Sequence, residues 1–553
     1  MWVVIRCVVA VGLGSFTGSR AASLLMLVGW QVIANRLLAM ITFLGGAPDA
    51  LPNVALGAPK PGEALPDVHG LTNACFGLHR ALLALGWEHV RNLAPGMSSL
   101  GDLGAAQIVR LVRTREVSCV EVVAAAGDAI ARHDGAIRAF AARAEERALA
   151  QARELDRLDR EQAAELPLLG VPVGIKDIFD TADLPTEYGS PIYRGHQPTA
   201  DAAVVSLLRA AGAVIVGKTK TTEFACMHPT DTRNPLDPAR TPGGSSSGSA
   251  AAVAARLVPL ATGTQTAGSI VRPASYCGVL GFKPTAGLIP LAGALPTSAT
   301  LDTAGLFARS IDDLELALPA VTAAPAGSAT ARGSRLIDGA GGTSTLGWPA
   351  PRIAFVRMAW EQLEPQARAA IERYVESAAE AGAEIEDVEL SVPFEALADA
   401  QLTIQRVETA AALGAESDRH GQLVSDELRE YIASGRAIAR EDYLAARRLA
   451  DEQRWRWLEH LGDVDAVLAP SALGVPPAGL AFTGDPLLCR PFTLLGVPAL
   501  AFPGAWTADG LPVGLQLGGA PHCDRRVLAC GRWLIERAPP SSPARAAAAT
   551  AKD

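Results

Sequence analysis

An α/β fold built around a largely buried sheet is predicted by two observations. Short apolar, β-branched runs alternate with helical stretches along most of the chain. The composition, 49% hydrophobic and 19% charged over 553 residues, is that of a folded, well-cored protein. Such a length accommodates one large α/β domain with additions, or two to four average domains.

The first 96 residues stand apart. They hold only ten charged side chains, about half the density of the remainder, and Arg6, Arg20 and Asn35-Arg36 interrupt their apolar runs. No clear signal-peptide pattern is present. This segment is read as a peripheral extension, with a disordered arm, a membrane-associated leader and a start-site artefact as its three explanations, and the working protein is expected from Met97. Ser99 is expected to cap a helix carrying Leu103, Ile108, Val109 and Val112. Helical patterning continues to 165, with a break near His133-Asp134-Gly135.

LLGVPVGIKDIFDT (168–181) then reads as a strand entering a polar turn. DAAVVSLLRAAGAVIVGKT (201–219) reads as helix, glycine break and strand. TPGGSSSGSAAAVAA (241–255) is a glycine–serine run opening a helix, and LVPLATGTQT (257–266) a further strand. Residues 319–349, rich in Ala, Gly and Ser, are expected to form a surface loop. Helical patterning resumes over 362–460, 496–517 reads as paired strands, and the tail 538–553 is expected to be disordered.

A net charge of −9 leaves no basic footprint for nucleic acid, and 5% aromatic content argues against base-stacking platforms. The eight cysteines form no C-x-x-C pair and the nine histidines no ligand-like spacing. They read as buried free thiols of a reducing, cytoplasmic compartment, and no metal is expected.

Three motifs compete for the chemistry. GAVIVGKT (212–219) satisfies the phosphate-loop expression, but Ala213-Val214-Ile215-Val216 are strand formers and cannot wrap an anion. Gly244-Ser245-Ser246-Ser247-Gly248 satisfies G-x-S-x-G with Ser246 central, yet three prolines precede it in place of the strand that a nucleophile elbow requires. The third reading joins Lys176 at the end of an apolar strand, Ser245 in the serine run, and Ser269 in GTQTAGSIVRPASYCGVLGFKPT (263–285).

On these stretches, together with LPTSATLDTAGLFARSIDDL and the late GVPALAFP…DGLPVGLQL, the sequence resembles the amidase signature family over about residues 98–535. The resemblance implies a single large domain, 97–537, with a central mixed, twisted β-sheet surrounded by helices. It implies hydrolysis of a carboxamide by a Ser–cis-Ser–Lys triad: Lys176 as base, Ser245 as the bridging serine after a cis Gly244–Ser245 peptide, and Ser269 as nucleophile. It places the oxyanion hole on the backbone of Thr266, Ala267, Gly268 and Ser269, with Gly244 and Ser246 in support. The family's commoner T-D-T-G-G-S-I-R reads here Thr264-Gln265-Thr266-Ala267-Gly268-Ser269-Ile270-Val271, with arginine displaced to Arg272, and Ser247 stands where glycine is more usual.

The residue types suit that chemistry. A serine hydroxyl attacks an amide only with a base beside it, and a lysine serves as base only when burial has lowered its pKa. The apolar run Val171–Ile175 before Lys176 is compatible with such burial. A hydroxyl between them both donates and accepts, so it can relay the proton. Asp177 and Arg272 are read as structural ion-pair members. The scheme calls for a small-molecule amide and no cofactor, and leaves a homodimer open. Its rivals are a glutaminase-type subunit of an amidotransferase and a non-catalytic binding homologue. Substrate selectivity is assigned to loops around Cys226-Met227-His228 and Cys489-Arg490-Pro491-Phe492.

Overall fold

The structure, a computed structural model, describes residues 100–322, 349–390 and 392–540. The N-terminal extension, Met97, Ser99, residues 323–348 and the tail from 541 lie outside the described residues. Eleven runs of small and β-branched residues form the strands β1 (Phe140–Arg143), β2 (Pro172–Lys176), β3 (Val214–Thr219), β4 (Leu260–Gln265), β5 (Leu280–Lys283), β6 (Thr303–Ala308), β7 (Arg352–Phe355), β8 (Glu384–Asp387), β9 (Ala466–Pro470), β10 (Ala499–Trp506) and β11 (Pro512–Gly518). They make one sheet in the order β1-β3-β2-β4-β6-β5-β10-β11-β9-β7-β8.

The sheet is mixed. β2 runs parallel to β3 and β4, and β7 parallel to β8 and β9, whereas the middle of the sheet is antiparallel. Every residue of β2, β3, β4, β6, β9 and β11 is buried, because helices cover both faces. The two edge strands are short and carry charge, Arg143 in β1 and Glu384, Glu386 and Asp387 in β8, which discourages pairing with another chain.

Five sequence expectations are corrected. The helical patterning expected to continue to 165 is interrupted by β1, and that expected over 362–460 by β8. The helix expected to break at His133-Asp134-Gly135 runs unbroken over Cys119–Ile137. It ends at Arg138, whose left-handed φ of 60° is locked when the Asp134 side chain accepts from Ala139 N at 2.7 Å. The helix assigned a Ser99 cap starts at Ala105 behind Gly104, after a short 3-10 turn. Pro319–Val321 belong to a helix, Ile311–Val321, and not to a loop; Pro319 is tolerated although it interrupts the hydrogen-bond ladder because it sits in the last turn.

Other expectations match. The paired strands of 496–517 are β10 and β11. The phosphate-loop lookalike is β3, with Lys218 buried in an ion pair with Asp177 at 3.0 Å and donating to Phe179 O at 2.9 Å. Among the described residues no helix is long and apolar enough to cross a membrane.

Candidate active site

Lys176 closes β2 and is fully buried. Its backbone N–H donates to Thr262 Oγ1 at 2.9 Å, and its Nζ donates to Ser245 Oγ at 2.8 Å and Thr264 Oγ1 at 2.7 Å. Thr262 and Thr264 are alternate residues of the neighbouring parallel strand β4, so strand periodicity turns both hydroxyls to one face. Burial brings the Lys176 ammonium down to about 7, against the opposing pull of Asp302 and Cys226.

The serine run reaches this lysine through a constrained backbone. Gly243 has φ +82°, and a Cβ there would stand 2.8 Å from Pro273 Cα, so only glycine fits. The Gly244–Ser245 peptide is cis. Arg272 Nη2 donates to Gly244 O at 2.6 Å, and Ser247 Oγ donates to Gly243 O at 2.7 Å. Ser247 also opens the helix Ser247–Ala254. Ser246 hydrogen-bonds Thr264 O at 3.4 Å, so its contact is with β4 and not with Lys176. Asp177 is an ion-pair member as expected; among the described residues Arg272 forms no ion pair, its hydrogen-bond partners there being the Gly244 carbonyl and the Thr483 hydroxyl.

Ser269 is 8% exposed and lies in the turn between β4 and the helix Val271–Cys277. Among the described residues no hydrogen bond joins its hydroxyl to Ser245. Side chains from distant elements hold the turn. Gln265 Oε1 accepts from Ile270 N at 2.9 Å and Val271 N at 3.0 Å. Gln265 Nε2 donates to Thr493 Oγ1 at 2.9 Å, which in turn donates to Ala267 O at 2.7 Å. Gln401 Nε2 donates to Thr266 O at 2.7 Å, and Thr266 Oγ1 to Asp302 Oδ1 at 2.5 Å. A planar trans peptide points its N–H away from its C=O. Fixing the carbonyls of Thr266 and Ala267 therefore aims the N–H groups of Ala267 and Gly268 the other way. Gly268 packs tightly, since a Cβ there would come within 3.0 Å of Pro486 Cβ.

Asp302 also accepts from Thr297 N at 2.8 Å and Ser298 N at 3.0 Å, and burial holds its carboxyl above the usual carboxylate range. With Thr264, Leu295 and Thr297 it lines a cavity of about 200 Å³. Sequence reasoning does not single out Thr262, Thr264, Asp302, Gln401 or Thr493. The two threonines carry a legible signal, polar residues at strand period in an otherwise apolar run; Gln401 and Thr493 carry none. Among the described residues no group of three or more His, Cys, Asp or Glu side chains is placed to hold a metal.

Solved structures of amidases share this architecture. An amidase crystal structure superposes with a TM-score of 0.69 at 30% identity, over 79% of this chain and all of that one. The peptide amidase of Stenotrophomonas maltophilia gives 0.69 at 29% identity, over 80% of this chain and 98% of that one. The family model for amidases matches residues 121–528, and the chain belongs to that family, the amidase signature enzymes. Curated relatives include a Glutamyl-tRNA(Gln) amidotransferase subunit from Rhodopirellula baltica, 35% identical over 77% of this chain and 95% of its own length. The corresponding protein of Roseiflexus castenholzii is 34% identical over 79% and 96%.

Proposed function

We propose that the protein hydrolyses a carboxamide through an acyl-enzyme on Ser269. The observation that carries the reading is Lys176: a fully buried amine, brought down to about 7, whose Nζ touches the hydroxyls of Ser245 and Thr264. A neutral lysine amine accepts a proton; Ser245, 2.8 Å away, gives it one and takes another from Ser269 as Ser269 attacks the carbonyl. Reversal of the relay protonates the departing nitrogen, and water then releases the acid. The N–H groups aimed by the Thr266 and Ala267 carbonyl contacts support an oxyanion hole on the 266–269 backbone. The Ser269–Ser245 contact forms in this reading when substrate arrives, as catalytic hydrogen bonds often tighten only in the complex. The reaction draws on this chain's own residues and calls for no cofactor.

Ammonia release from a panel of simple carboxamides tests the proposal. Ser269→Ala is expected to fold normally and to lose turnover by a factor of about 10³ or more. Wild-type rates in that variant would overturn the mechanism. An active Ser245→Ala chain beside a dead Ser246→Ala chain would favour an α/β-hydrolase-like role for the middle serine.

The amidotransferase relatives, one of them matched over 95% of its length, favour a second reading in which ammonia from glutamine is passed to a partner-bound acceptor. Under that reading glutamine is the preferred amide and its hydrolysis rises when partner proteins are added. The isolated chain turning over simple amides while ignoring glutamine would reject it.

A further inference from the structure

In the acyl-enzyme reading, the proton that leaves Ser269 ends on Lys176 Nζ by way of Ser245. A fully buried amine thus becomes an ammonium as the substrate carbonyl oxygen becomes an anion. The hydroxyls of Ser245 and Thr264, at 2.8 Å and 2.7 Å, orient that ammonium but carry no charge. A buried charge without a counter-charge is costly, so a relay that runs needs one nearby.

Among the described residues two titratable side chains act on the Lys176 amine, Asp302 more strongly and Cys226 less. Cys226 in turn feels Asp302, Glu223 and Lys176, and burial pushes its thiol far up, so it stays neutral and brings no charge. Asp302 is different. Its oxygens accept from Thr266 Oγ1 at 2.5 Å, Thr297 N at 2.8 Å and Ser298 N at 3.0 Å. All three partners are donors, the set that favours an ionised carboxyl. Those donors and Lys176 oppose the upward pull of burial.

The carboxylate acts on the lysine without touching it. Thr264, whose hydroxyl contacts Nζ, and Asp302 line the same cavity of about 200 Å³. Among the described residues no ion pair or hydrogen bond joins Asp302 to Lys176. The segment before Asp302 is clamped in place. Glu408, on the helix Phe394–Arg419, accepts from Thr300 N at 3.0 Å and Thr300 Oγ1 at 2.8 Å, and Thr297 Oγ1 donates to Phe224 O at 3.2 Å. A direct ion pair would hold the amine protonated and end its use as a base. A carboxylate set back leaves the resting amine neutral, yet still stabilises the ammonium once it forms.

We propose that Asp302 is a positioning residue of the reaction, the counter-charge that stabilises the Lys176 ammonium while the lysine holds the proton taken from Ser269. Through Thr266 Oγ1 the same carboxylate ties that charge to the turn that carries the nucleophile. The inference rests on the amide-hydrolase reading for the origin of the proton, and on the cavity and the hydrogen bonds of Asp302 for the pairing of charges.

The test replaces Asp302 by its neutral isostere. In Asp302→Asn the side-chain oxygen keeps the Thr297 and Ser298 N–H groups while the amide nitrogen faces the Thr266 hydroxyl, which accepts as well as donates. The first readout is independent of turnover: carbon-13 NMR of chains labelled at lysine Cε. The Lys176 signal is identified by its loss in Lys176→Met, and the buried Lys283 amine is the internal control. The Lys176 midpoint is expected to fall by about one pH unit in Asp302→Asn, with Lys283 unmoved. The second readout is ammonia release. The midpoint of its kcat/KM profile is expected to move down by the same amount, and kcat at about pH 8.5, where the resting amine is neutral in both chains, to fall about tenfold. Asp302→Ser, a smaller neutral replacement, reports the same shifts should the asparagine chain fail to fold by circular dichroism. A Lys176 midpoint unchanged in the neutral variant, or moved together with that of Lys283, would overturn the counter-charge role and leave the hydrolase reading standing. A shifted Lys176 midpoint in a protein that releases ammonia from no amide would instead sink the hydrolase reading, and with it the role in the reaction, while the pairing of charges stands.

Discussion

Lys176 shows how a residue acquires an unusual state from its surroundings. Its amine sits among hydroxyls, and among the described residues no carboxylate hydrogen-bonds it, so desolvation dominates and the folded-state value falls from 10.5 to about 7. If Lys176 is the base, it works when unprotonated. The kcat/KM of ammonia release is then expected to rise with pH through about 7 and to level off above it. A pH–rate profile checks this, and a profile flat from about pH 6 to 8 would remove Lys176 from the base role. Lys176→Arg, which keeps the charge at every accessible pH, is expected to lower turnover by about 10³ or more with folding retained. The motifs spell out Lys176, Ser245 and Ser269 as candidates, but the sequence does not show that Thr262 and Thr264 meet the lysine. Those contacts depend on the register between β2 and β4, in which Val173 faces Leu260 and Gly174 faces Ala261 across a long separation in the chain.

At the scale of elements, the turn after β4 is shaped by side chains it does not own. Gln401 comes from the helix Phe394–Arg419 and Thr493 from the helix Arg490–Leu494, and each fixes one carbonyl of the turn. Gln401→Leu is expected to lower kcat by about tenfold to a hundredfold with a smaller change in KM, because a freed Thr266 carbonyl lets the Ala267 N–H wander from the developing charge. Steady-state kinetics on a neutral amide decides it, and a pure KM effect would contradict the turn-positioning role. The loop before Ser245 makes a separate demand. Gly243→Ala places a methyl against Pro273 Cα at a φ of +82° and is expected to destabilise the fold by about 1–3 kcal/mol. A fall in the urea midpoint at constant m-value measures that cost. The glycine is legible in the sequence as a turn former; the backbone of Pro273 as the reason for it is not, since the two meet only when the helix Val271–Cys277 packs beside the serine loop.

The whole molecule carries more than one buried amine. Lys283, at the end of β5, is also fully buried and brought down to about 7 by burial, with Val497 O and Pro284 O as its acceptors. For Lys176 and Lys283 the folded value lies below the unfolded 10.5, so between about pH 7 and 10.5 the unfolded chain binds more protons and stability rises with pH. The buried thiols of Cys489 and Cys530, pushed up to about 12 from 9.0, act oppositely and take stability away above about pH 9. Unfolding free energy is thus expected to increase from about pH 7 to 8.5, and Lys283→Met is expected to shrink that increase by on the order of 1–2 kcal/mol. Denaturation series at the two pH values check it; an unchanged increase in the variant would mean Lys283 is not held neutral. The sequence by itself determined the α/β alternation, five of the eleven strands (β2, β3, β4, β10 and β11) and the candidate lysine and serines, because strand pattern, glycine turns and short motifs are local. Tertiary structure alone decided the strand order of the sheet, the hydroxyls around Lys176 and the clamp on the 266–269 turn. Each of these depends on residues far apart in the chain being brought within hydrogen-bond or electrostatic reach, and no local pattern records that.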